Sequence, residues 1–291
     1  MAQDRLEGVV QAMRPAPGGG LVFYASLPES AAAGSAGAVR QAENRCRLAA
    51  LLWEHLRAQE PPLWNNHPFS ESVERPLQVT HDALGCPRLV REEHAGPSVS
   101  FSRAGEEVWA ALAGDGSEIG IDVAGSAEFR GGYPVRRAFR AQEIEQVLEH
   151  FRKLYGRSAA RQRLDLHAEN GRFHGGRASS RAVSHDDAGC RTVETALNVA
   201  DGDVASALAL LWSVKEAVAK ALGCAFHLAD PLDIQVQPSA VEGDWHAFRA
   251  SLSGKALARF AAEGRQPISV CSVPQADAWL SIAAVRRRPA G

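Results

Sequence analysis

Residues 98–112 carry an alternation that suits a strand with one face in a core. Val99 and Phe101 interleave with Ser98, Ser100 and Ser102, and successive side chains of a strand point to opposite faces. The segment therefore reads as a half-buried strand. Arg103-Ala104-Gly105-Glu106 reads as the turn of a hairpin, with Val108, Ala110 and Leu112 on the returning strand. Asp115-Gly116 turns the chain again before another strand from Glu118 to Val123. Residues 77–125 as a whole are strands and turns, so any fold of this chain is built around a sheet.

Helices flank that sheet. Residues 38–59 have a helical stripe of Leu48, Leu51, Leu52 and Leu56, closed by Pro61-Pro62. A second helix is expected over 141–154, with Ile144, Val147, Leu148 and Phe151 on one side, and a third over about 204–222. Leu21-Val22-Phe23-Tyr24-Ala25 reads as a short strand after a glycine-rich turn. Further strands are expected at Ile234-Gln235-Val236, 245–252, Ile268-Ser269-Val270 and 279–285. Residues 156–202 differ in kind. They are rich in Arg, His, Gly, Ser and Asp, show no hydrophobic period, and read as a loosely held insertion.

Composition narrows the function. The 291 residues are 45% apolar and 23% charged, enough for a globular core. A net charge of −2, from 32 basic and 34 acidic side chains, gives no global field for nucleic acid or a membrane surface. Five cysteines without a C-x-x-C pair argue against a zinc site or a disulfide framework. No secretory signal opens the chain, and no apolar run approaches the roughly 20 residues that span a bilayer. The expected location is the cytoplasm.

Two segments carry chemistry. In Ile119-Gly120-Ile121-Asp122-Val123, the three branched residues face a core while Gly120 and Asp122 share the other face. A carboxylate beside a bare glycine leaves room for a ligand. In the third helix, Leu211, Val214, Val218 and Leu222 form the buried stripe, and Trp212, Glu216 and Lys220, spaced by four, line a neighbouring face.

Together, Gly120-Ile121-Asp122 and Trp212-Ser213-Val214-Lys215-Glu216-Ala217-Val218-Ala219-Lys220 resemble the 4′-phosphopantetheinyl transferases of the surfactin-synthetase-activating type. That family has a Gly-Ile/Val-Asp strand and a Trp/Phe-Ser-x-Lys-Glu-Ala-x-x-Lys helix. Gly85-Cys86-Pro87-Arg88-Leu89 resembles its Gly-Lys-Pro-x-Leu turn. Ser100-Phe101-Ser102-Arg103-Ala104-Gly105 resembles its Ser-His-Ser-Gly strand end, and Phe139-Arg140-Ala141-Gln142-Glu143 its Phe-x-x-x-Glu helix start. Before residue 85 the likeness is carried by Arg45 and the helix after it.

The resemblance implies an α+β fold: a pseudo-twofold pair of similar subdomains, each a helix packed on a small, mostly antiparallel sheet. The halves would be residues 1–118 and 119–291, with the insertion at 156–202. It implies magnesium-dependent transfer of 4′-phosphopantetheine from coenzyme A to a serine of an apo carrier protein, releasing 3′,5′-ADP. Asp122 and Glu216 would hold Mg2+. Arg45, Arg103, Lys215 and Lys220 would bind coenzyme A. Lys220 would also neutralise the leaving group, and Glu143 would accept the serine proton. The partners are then coenzyme A and a carrier protein, with Arg136, Arg137 and Arg140 as an alternative dock for its acidic helix or a solvated basic face. A monomer is expected. A non-catalytic binding protein of the same fold and a magnesium-dependent phosphohydrolase are the rival readings.

The chain departs from the family at three points. Ala124 stands where a second carboxylate is frequent, on the same strand face as Asp122. Arg103 replaces the histidine of Ser-His-Ser-Gly. Asp122 and Glu216 lie 94 positions apart, a wide separation that the insertion accounts for.

Overall fold

The structure, a computed structural model, describes residues 10–13, 20–28, 35–59, 63–64, 67–71, 76–130, 134–154, 201–224, 226 and 228–286. Pro61-Pro62 and nearly all of the expected insertion lie outside the described residues.

Two antiparallel sheets form the body. The first contains β1 (Gln11–Met13), β2 (Val22–Pro28), β3 (Gln78–His81), β4 (Pro87–Arg91), β5 (His94–Ala104) and β6 (Glu107–Ala113). Its spatial order is β1-β2-β6-β5-β4-β3. The second contains β7 (Glu118–Gly125), β8 (Ile234–Glu242), β9 (Trp245–Leu252), β10 (Ile268–Gln275) and β11 (Ala278–Val285), in the order β7-β11-β10-β9-β8. The hairpin read from the sequence is β5–β6, pairing Ala104 with Glu107. Gly105 takes φ 57° at its turn, a left-handed conformation that favours glycine.

Each sheet carries one long helix. Helix α1 (Ser35–Ala58) lies on β2 and β6, and its Leu48, Leu52, Trp53 and Leu56 are buried there. The Trp53 ring meets Trp64 and Phe69 edge-on, at centroid distances of 6.0 and 4.9 Å, a preferred aromatic geometry. A short helix α2 (Pro68–Glu71) supports this cluster. The helix over 141–154, α3, and helix α4 (Asp201–Ala221) belong to the second sheet, with a short α5 (Gly254–Arg259) after β9. The α4 helix begins at Asp201, so the chain is already helical at the end of the stretch expected to be an insertion. It is buried on nearly every side, between β7, β11 and helix α3. Two antiparallel sheets, each with its helix, make the fold α+β. Among the described residues, no helix is long and apolar enough to cross a membrane.

The sheets meet at β7. One edge of β7 pairs antiparallel with β11, from Glu118↔Val285 to Gly125↔Ala278. Its other edge faces β5, where three serine hydroxyls replace a neighbouring strand. Ser98, Ser100 and Ser102 Oγ accept hydrogen bonds from the backbone N–H of Ile119, Ile121 and Val123, each at 3.1 Å. Unpaired buried N–H groups are costly, and a serine every second residue supplies one acceptor per outward N–H. Tyr24, Trp109, Ile119, Ile121, Leu280 and Ile282 fill the space between the sheets.

Candidate functional site

Strand alternation sends Ile119, Ile121 and Val123 into the inter-sheet core and Gly120, Asp122 and Ala124 toward α4. Gly120 allows the helix to approach. A Cβ there would lie 1.9 Å from the Ala217 carbonyl oxygen and 2.6 Å from the Ala221 nitrogen. The room beside Asp122 expected for a ligand is therefore taken by helix backbone, and the open space lies further along the strand.

That space is a cavity of about 250 Å³. Its walls include Arg45 of α1, Phe101, Ser102 and Arg103 of β5, Asp122 and Ala124 of β7, and Trp212, Glu216 and Lys220 of α4. Glu128, on the short turn after β7, also lines it. The structure thus brings together Arg45, Arg103, Asp122, Glu216 and Lys220, five of the seven residues singled out from the sequence. The i, i+4 spacing places Trp212, Glu216 and Lys220 on one wall. The Arg45 guanidinium stands over the Phe101 ring at 5.7 Å.

Lys220 bridges the two carboxylates. Its Nζ is 2.7 Å from Asp122 Oδ1 and 3.3 Å from Glu216 Oε1, and it donates to the Ile121 carbonyl at 3.1 Å. Ser102 Oγ donates to the same Asp122 Oδ1 at 2.9 Å. Burial pushes the Asp122 carboxyl up to about 6, against the lowering effect of Lys220 and with a further rise from Glu216. The Lys220 ammonium is disfavoured by burial, but Asp122 and Glu216 outweigh that and raise its pKa.

Lys215 and Glu143 sit elsewhere. Lys215 is fully buried, and its Nζ donates to Glu143 Oε2, the Ala138 carbonyl and the Pro231 carbonyl, each at 2.9 Å. Glu143 Oε2 also accepts from Arg140 N–H at 2.9 Å, and its Oε1 from Val236 N–H at 2.8 Å. Burial lowers the Lys215 pKa, with Glu143 opposing. This pair ties α3, α4 and the start of β8 together. Neither side chain is among those that line the cavity.

Magnesium fits the donor set. Mg2+ usually takes one or two carboxylates and completes its shell with water and phosphate oxygens. Asp122 and Glu216 already converge on one cation, the Lys220 ammonium, which shows that their shared field favours positive charge. Among the described residues, no three His, Cys, Asp or Glu side chains are grouped closely enough to form a complete protein cage. Ala124, on the cavity wall, adds no oxygen.

Two residues of the site escaped the sequence reading. Glu128 follows the strand in a turn and has no periodic signal. Ser102 had one, as the third serine at every second position of β5, but the alternation alone does not show that its partner is a carboxylate on another strand.

Residues 182–271 match the family model of the 4′-phosphopantetheinyl transferase superfamily (ACPS). The matched stretch holds Lys215, Glu216 and Lys220, while Arg45, Arg103 and Asp122 precede it. No curated protein matches the chain. A domain of this superfamily supports phosphopantetheine transfer as the general activity.

Proposed function

We propose that the chain transfers the 4′-phosphopantetheine group of coenzyme A to a serine of an apo carrier protein, with Mg2+ held by Asp122 and Glu216. The observation that carries this reading is the charge balance of the cavity. Three cationic side chains, Arg45, Arg103 and Lys220, and three carboxylates, Asp122, Glu216 and Glu128, line one cavity of about 250 Å³. A bare anion would meet the carboxylates, and a bare dication would meet the basic groups. A diphosphate carrying a divalent cation satisfies both sets. The volume is below the usual 300–1,000 Å³ of a small-molecule pocket. It therefore suits the diphosphate, with the rest of coenzyme A lying outside.

Each side chain then has a task. Arg103 and Arg45 grip phosphate oxygens, which guanidinium groups do with paired hydrogen bonds. Lys220, a compact charge at the carboxylates, neutralises charge growing on the departing 3′,5′-ADP. When bound, the metal supplies further neutralisation of the diphosphate oxygens and orients the phosphorus under attack. The carrier serine gives up its hydroxyl proton to water and its oxygen forms the new P–O bond, while the bond to the phosphate of 3′,5′-ADP breaks and that group leaves with the bonding electrons. Calorimetric titration with coenzyme A tests the site. Binding should need Mg2+ and weaken in Asp122→Asn and Glu216→Gln. Equal binding with and without the metal would remove the two carboxylates from their assigned role.

A further inference from the structure

We infer that Ser102 is a positioning residue which selects the oxygen that Asp122 presents to the cation. This deepens the proposed function and rests on its assignment of Asp122 to the metal.

The serine ladder of β5 has three members, and they are not equivalent. Each accepts one hydrogen bond from a β7 N–H at 3.1 Å. A hydroxyl that accepts from an N–H still has its own proton to donate. Ser98 gives its proton to Glu118 Oε2 at 3.0 Å, at the far end of the strand. Ser102 gives its proton to Asp122 Oδ1 at 2.9 Å. The Ser102 hydroxyl is thus fixed from two sides, by Val123 N–H behind it and by the carboxylate ahead of it. Both Ser102 and Asp122 are more than nine-tenths buried.

That bond decides the carboxylate's orientation. Asp122 Oδ1 receives both Ser102 and the Lys220 ammonium, at 2.9 and 2.7 Å. Among the described residues, the hydrogen bonds to this side chain all fall on Oδ1, so Oδ2 is left as the oxygen for the cavity. The Lys220 ammonium divides its protons among Asp122, Glu216 and the Ile121 carbonyl, whereas the Ser102 hydroxyl proton goes to Asp122. The hydroxyl comes from the first sheet and the carboxylate from the second. The alignment of the two sheets along β5 and β7 therefore sets the geometry of the cation site.

The ladder provides its own control. Ser100→Ala removes the acceptor for Ile121 N–H, as Ser102→Ala removes the acceptor for Val123 N–H, so both should lose stability to a similar extent. Only Ser102→Ala removes a donor from Asp122. Mn2+ binding to the full chain, followed by calorimetry and by electron paramagnetic resonance, should weaken roughly ten- to hundredfold in Ser102→Ala, the range for groups that orient a metal ligand. Ser100→Ala should bind like the wild type, and Ser102→Thr, which keeps the hydroxyl, should recover most of the affinity. Ser102→Cys, which fills the site with a weak donor, should show the same loss and stands in if the alanine variant does not fold. Wild-type affinity in Ser102→Ala or Ser102→Cys, or equal losses in Ser100→Ala and Ser102→Ala, would overturn the inference. A wild-type protein that binds no Mn2+ would instead overturn the cation reading on which it rests.

Discussion

Lys215→Met should destabilise the protein strongly while leaving its affinity for coenzyme A unchanged. The Lys215 ammonium is fully enclosed and makes three hydrogen bonds of 2.9 Å, to Glu143, Ala138 and Pro231. Methionine fills a similar volume but donates nothing. The substitution strands the Glu143 carboxylate, which among the described residues keeps only the backbone N–H groups of Arg140 and Val236, and it removes one donor from the Ala138 and Pro231 carbonyls, the latter retaining Ile234 N–H. Removing one member of a buried ion pair costs about 3–5 kcal/mol, because the other charge stays desolvated. At roughly 2–4 °C per kcal/mol for a chain of this size class, the melting temperature should fall by on the order of 10 °C. Urea unfolding followed by circular dichroism measures the loss. Coenzyme A titration below the new transition separates folding from binding. The double variant Lys215→Met/Glu143→Leu should recover part of the stability, since it removes the stranded charge. A Lys215→Met protein that melts like the wild type but binds coenzyme A weakly would refute the reasoning and return Lys215 to the ligand.

Three further outcomes are expected. Gly120→Ala should cost about 1–3 kcal/mol or more, since its Cβ would meet the Ala217 carbonyl at 1.9 Å; an unchanged urea midpoint would contradict the tight β7–α4 contact. Arg103→Ala should raise KM for coenzyme A by an amount equivalent to roughly 1.5–3 kcal/mol, and by a similar amount for dephospho-coenzyme A, which keeps the diphosphate; a loss confined to coenzyme A would take Arg103 off the diphosphate. Burial, aided by Lys153, holds the His150 pKa below its usual 6.5, so the unfolded chain takes the proton first. Stability should be flat above that value and decline as pH falls below it, and His150→Gln should flatten this decline in urea titrations between pH 5 and 7.

What could be read from the sequence was what short-range periodicity encodes. The strand at Trp245–Leu252 and the helix over 141–154 appear where their patterns place them. The i, i+4 row of Trp212, Glu216 and Lys220 reaches the cavity for the same reason. Contacts between distant segments were not legible. Lys215 and Glu143 are 72 positions apart, and no local pattern tells a lysine that holds a ligand from one that closes a core. Gly120 signals a close approach, but not whether a ligand or a helix makes it. The serines of β5 looked like the polar face of a strand, and they are the acceptors for the β7 backbone. Strand β1 and helix α5 are too short, at 3 and 6 residues, to show a period.

The central claim is group transfer to a carrier protein, and the most direct test is the mass of the carrier. Apo carrier protein incubated with the wild-type chain, coenzyme A and Mg2+ should gain the mass of one phosphopantetheine on its serine, with 3′,5′-ADP released in equal amount. Asp122→Ala and Glu216→Ala, both folded, should leave the carrier unmodified. Release of phosphate or 3′,5′-ADP with the carrier mass unchanged would point to hydrolysis, and binding of coenzyme A without any turnover would point to a binding protein; either would contradict the account.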